Sequence, residues 1–79
     1  ADRQDMLTEE EARQIALTHA NLTVDRVSFT KSEVDREDGR VVYDIEFFTQ
    51  DNREFDYEID PYTGEVLDYN QDTETINNN

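Results

Sequence analysis

The chain has 79 residues, 21 of them acidic against 7 basic, no cysteine, and a formal net charge of −14. That length allows one small domain, which buries only about 60% of its unfolded surface. The charge excludes a phosphate-tracking nucleic-acid binder and a protein adsorbed on anionic lipid, and the missing cysteines exclude disulfide staples and thiolate metal sites.

In chain order, residues 1–6 carry no pattern and are expected to be a flexible lead-in. Leu7-Thr8-Glu9-Glu10-Glu11 opens a helix. Thr8 with Glu11 three residues on makes a capping box, Leu7 and Ala12 suit a hydrophobic staple, and the acidic first turn complements the helix dipole. Ala12, Ile15, Ala16, His19 and Ala20 form one stripe at helical spacing, which leaves Leu17 off it and exposed. Small alanines ask for a large-residue partner, and the aromatic strands that follow supply one. Asn21 suits a left-handed helix end. His19, in the middle of the stripe with no second histidine or cysteine, is expected to be a structural filler at the helix C-terminus, the alternative being a pH switch or ligand.

Strand one is expected from Val24 to Val34, with Val27 and Phe29 inward. Residues 35–40 make a turn around Asp38-Gly39. Strand two, Val41 to Thr49, sets Val41, Tyr43, Ile45 and Phe47 on one face, and Val42, Asp44, Glu46 and Phe48 on the other. Gln50-Asp51-Asn52-Arg53 turns again. In strand three, Phe55, Tyr57 and Ile59 alternate with Asp56, Glu58 and Asp60. Asp60-Pro61-Tyr62-Thr63-Gly64 is dense turn chemistry, with Asp60, Pro61, Thr63 and Gly64 as its structural residues. Strand four is short, from Glu65 to about Tyr69, and residues 70–79 are expected to be a disordered tail. Short connections favour an α+β fold in which one N-terminal helix packs on a four-stranded antiparallel meander over residues 7–69.

The uncovered sheet face should present Val42, Asp44, Glu46, Phe48, Glu54, Asp56 and Glu58. Opposed like charges destabilise a sheet, so this face is a candidate surface for a basic protein, with Val42 and Phe48 as apolar anchors. The plain alternative is a solvated face on an acid-rich protein. Catalytic chemistry is not expected: the carboxylates lie on an open face where nothing separates their pKa values, and Ser28 and Ser32 have no arranged base. No metal or cofactor is expected either. Asp35-Arg36-Glu37-Asp38-Gly39 departs from the calcium-loop pattern in its glycine position and lacks the bidentate glutamate. No apolar run approaches the ~20 residues of a membrane span. A start at Ala1 is what a processed or excised piece would show.

Three stretches together resemble the PepSY family, the peptidase propeptide and YPEB domain. They are Leu7-Thr8-Glu9-Glu10-Glu11-Ala12 with Ile15-Ala16-Leu17 and His19-Ala20, then Gly39 to Phe47, then Tyr57 to Leu67. The resemblance covers about Leu7 to Asp68, with Asp51-Asn52 standing where aspartate-glycine is more usual. It implies a helix on an antiparallel sheet, an extracytoplasmic setting (secreted or held in the cell envelope), and inhibition or regulation of a peptidase. It brings no catalytic residues. The alternative it leaves open is a structural or sensory interaction module of an envelope protein.

Overall fold

The computed structural model describes residues 5–73, with the side chain of Thr73 left aside. The residues expected to be a lead-in and a tail therefore lie partly outside it. One helix, α1 (Glu9–Ala20), precedes a single 3-10 turn (Val24–Arg26) and four strands: β1 (Val27–Glu37), β2 (Arg40–Thr49), β3 (Arg53–Ile59) and β4 (Val66–Thr73). The strands form one antiparallel sheet in the order β1-β2-β3-β4, the expected meander.

The helix starts where its capping box dictates. Thr8 accepts from the Glu11 amide at 3.1 Å, and the Glu11 carboxylate accepts from the Thr8 amide at 2.9 Å. It stops at Asn21, whose φ of 62° is left-handed. The Leu22 amide then reaches back to the Leu17 carbonyl at 2.9 Å, closing a Schellman turn. That turn corrects one expectation. Leu17 is buried, with only 2% of its surface exposed, because Leu22 folds back toward it and both pack into the core. The buried stripe is Ala12, Ala16 and Leu17, while His19 sits at its exposed margin.

The core lies between those small residues and the inward row Tyr43, Ile45, Phe47, Phe55, Tyr57 and Ile59. Phe47 is its centre: its ring lies 5.3 Å from Phe29, 5.0 Å from Phe55 and 6.0 Å from Tyr57, all tilted or edge-on, the arrangement that ring quadrupoles favour.

The turns follow their residues. Asp38 (φ 53°) and Gly39 (φ 79°) make a two-residue hairpin loop with both central residues at positive φ, tighter than the expected turn over 35–40. At the β3–β4 turn, the Asp60 carboxylate accepts from the amides of Tyr62 (2.8 Å) and Thr63 (3.1 Å), and the Gly64 amide returns to the Asp60 carbonyl at 2.9 Å. Pro61 is buried and its carbonyl accepts from the Leu7 amide at 2.7 Å.

Two bulges depart from simple alternation. Thr30 is an extra residue on β1, between Phe29↔Phe47 and Lys31↔Glu46. Leu67 is an extra residue on β4, between Val66↔Ile59 and Asp68↔Glu58. Each bulge switches which alternate residues face the helix. The expected first strand is also shifted: Val24 to Arg26 are a 3-10 turn, and β1 continues past Val34 to Glu37. Strand β4 runs to Thr73, so residues 70–73 are paired sheet rather than the start of a tail.

Candidate protein-interaction face

On the side of the sheet away from α1, cross-strand register lines up three rungs. One is Glu33–Asp44–Glu58–Asp68, the next is Lys31–Glu46–Asp56–Asn70, and the third is Ser28–Phe48–Glu54–Asp72. Those rungs carry eight carboxylates and one cation. Direct opposition of like charges costs a sheet stability, so the arrangement is under electrostatic stress in the free protein.

Lys31 answers part of it. Its ammonium lies 3.0 Å from Asp44 and 3.3 Å from Asp35. Hydrogen bonds to Asp44 and then Asp35 hold its pKa well above the ordinary lysine value. The other Asp44 oxygen, Oδ1, is buried and has no hydrogen-bond donor. The Glu46 carboxyl is pushed above the usual range, first by burial, then by the charges of Asp44 and Asp56, then by a hydrogen bond with Asp44. Asp56, although exposed, is raised first by partial desolvation and then by the field of Asp44, an effect Lys31 partly offsets. Glu58 is raised by burial and by Glu37, Asp68, Asp44 and Asp56, with no cation among its neighbours' contributions.

Carboxylate oxygens of Asp44, Glu46 and Asp56 lie within 4.8 Å of one another. Three such oxygens suit a hard cation, but the Lys31 ammonium already sits on Asp44, and the set reads as the centre of an acidic patch. Asp35 to Gly39, tested above as a calcium loop, is the end of β1 and its hairpin turn.

Of the seven residues expected on this face, the structure brings six together in the open. Glu54, Asp56 and Phe48 are exposed, and Asp44, Glu46 and Glu58 are half-buried between their neighbours. Val42 is the correction. It has the outward parity, but only 1% of it is exposed, so it cannot anchor a partner. Its rung pairs it with Asp35 and, one step past Tyr43↔Ile59, places it beside the Asp60 turn. Alternation assigns a side chain its face but not how much covers it. Phe48, at the other end of the face, remains 42% exposed.

Sequence reasoning left the β4 residues out of this face: Asp68 fell in the expected strand without a face assigned to it, and Asn70 and Asp72 fell beyond its expected end near Tyr69. The signal was weak but present: Asp68, Asn70 and Asp72 alternate through a segment whose one apolar residue is Tyr69.

His19 plays no part in the acidic face. Its Nδ1 lies 2.9 Å from the Tyr57 hydroxyl, and its ring packs edge-on to Tyr69 at 4.6 Å. It ties the last helical turn to β3 and β4.

A family model described as the peptidase propeptide and YPEB domain matches residues 6–70. The chain is also 37% identical over 71 residues to an uncharacterized protein, Spy1430, of Streptococcus pyogenes serotype M6. That alignment covers 90% of this chain and 52% of the relative, so the chain spans about half of the relative's length. No solved structure matches the chain.

Proposed function

The chain belongs to the PepSY family, and from that premise we propose that it is a non-catalytic, extracytoplasmic binding module that regulates a peptidase by covering it. The observation that carries the reading is the outward face: eight carboxylates and one lysine over three rungs, with Phe48 open at one end. A partner presenting Lys or Arg would relieve repulsion that the free domain bears, so complex formation gains from both attraction and relief of stress. Phe48 would supply the apolar contact that charge alone does not. A continuous four-stranded sheet is a stiff platform, and occlusion needs stiffness rather than chemistry.

The test is a panel of thermolysin-like peptidases assayed with micromolar domain. Inhibition that weakens at least tenfold in the E46Q/D56N/E58Q variant is expected. No inhibition across the panel, or inhibition indifferent to those substitutions, would count against the proposal. A second reading, an interaction module that docks on another part of its own polypeptide, is favoured by the relative's length, about twice the aligned region. It predicts binding to that segment and no effect on any peptidase.

A further inference from the structure

A second surface lies on the helix side of the molecule, away from the acidic face. Between α1 and the β3–β4 turn runs an open groove of about 580 Å³, lined by Leu7, Ile15 and Val66 along its floor and by Glu11, Gln14, Thr18 and His19 along its helix side. Its shape is built in. The Leu7 amide is bonded to the Pro61 carbonyl, and the Leu7 carbonyl accepts from the Tyr43 hydroxyl at 2.9 Å. Gly64 lets the turn pack closely on Ile15, since a Cβ there would stand 3.0 Å from Ile15 Cδ1. The floor is almost wholly apolar, yet the charge around it is acidic: Glu11 lines the groove, Glu65 is exposed directly before Val66, and no Lys or Arg among the described residues lines it.

We propose that this groove docks a partner segment in which leucine-sized side chains are flanked by lysine or arginine. Apolar burial would give affinity, and the acidic rim would select against neutral and acidic segments. The same rim rejects a second copy of this chain, whose exposed aromatics are themselves set beside acids: Phe48 opposite Glu54, Tyr62 with its amide on the Asp60 carboxylate, and Tyr69 directly after Asp68. The proposal is independent of the peptidase reading, because it uses a different surface.

The experiment titrates the isotope-labelled 79-residue protein with a synthetic peptide that carries two leucines four residues apart between lysine pairs. Methyl resonances of Leu7, Ile15 and Val66 are followed by NMR. Those methyls are expected to shift, and the Q14K and T18K variants, both at exposed positions, are expected to bind at least tenfold more weakly while melting normally. Q14E is expected to bind more tightly. A control peptide with serine for leucine should leave the methyls in place. The proposal fails if the leucine peptide does not move them, or if a glutamate-flanked version binds equally well. It fails equally if the protein alone shows a concentration-dependent dimer with the same methyl shifts, which would make the occupant a second copy.

Discussion

Replacing Glu58 by glutamine isolates the cost of the acidic ladder. Glu58 stands directly between Asp44 on β2 and Asp68 on β4. Burial and four neighbouring acids raise its pKa, with no lysine contributing, whereas Lys31 complicates the same experiment at Glu46 and Asp56. A like-charge cross-strand pair costs about 0.2–1 kcal/mol. Two pairs relieved at once, with solvent screening at a half-buried site, give a gain of about 1 kcal/mol. For a domain of this size that is a rise in Tm of about 4–8 °C. The assay is thermal unfolding followed by far-UV circular dichroism at pH 7 in dilute buffer. The gain should shrink in 1 M salt, where the Debye length falls to about 3 Å. It should shrink again in acid, where the wild-type Glu58, its pKa raised, takes up its own proton. A variant that melts at or below the wild type in dilute buffer would refute the reasoning, as would a gain indifferent to both salt and pH.

The raised carboxyls of Glu46, Asp56 and Glu58 mean that the native state binds more protons than the unfolded chain, so stability should rise as pH falls from neutral toward about 4. Below that range Asp25 and Asp51, held low by the hydroxyls of Thr23 and Thr49, act with the opposite sign, and stability should fall. Urea midpoints measured from pH 7 to pH 3 check this, and a steady decline from pH 7 to pH 5 would contradict it. Val42→Ala should cost about 1–3 kcal/mol in the same urea titration, because that side chain is closed off from water. Phe48→Ala should stay within about 0.5 kcal/mol of wild type and instead weaken partner binding.

The parts of the fold legible in the sequence were those decided by neighbouring residues. Thr8 with Glu11 announces a helix start, Asp38-Gly39 a tight hairpin, and Asp60 to Gly64 a turn closed by one carboxylate. Each is a local hydrogen-bond or φ requirement that only a few residues meet. What escaped depends on residues distant in sequence. Thr30 and Leu67 are bulged because the partner strands keep Phe29 opposite Phe47 and Val66 opposite Ile59, and nothing in either residue marks it as extra. Leu17 is buried in the core against which Leu22 also packs, and Leu22 is brought back by the left-handed turn at Asn21. Val42 has the parity of an exposed residue and the cover of a core one. On the acidic face, period-two alternation identified the β2 and β3 contributors. It missed those of β4, where Gln71, opposite Phe55, is polar and the alternation loses its contrast.

The short bond from the Leu7 amide to the Pro61 carbonyl joins the start of the helix to the last turn of the sheet. The hairpins close over a few residues each, whereas this contact spans most of the chain, so its closure entropy is met late in folding. The meander can therefore zip up in sequence, with helix docking completed only after the β3–β4 turn has formed. In the native protein the same bond must open whenever the start of the helix lifts from the sheet. The Leu7 amide should then exchange with deuterium faster than the amides of Ile45 and Tyr57, and its exchange rate reports how often the helix leaves the sheet.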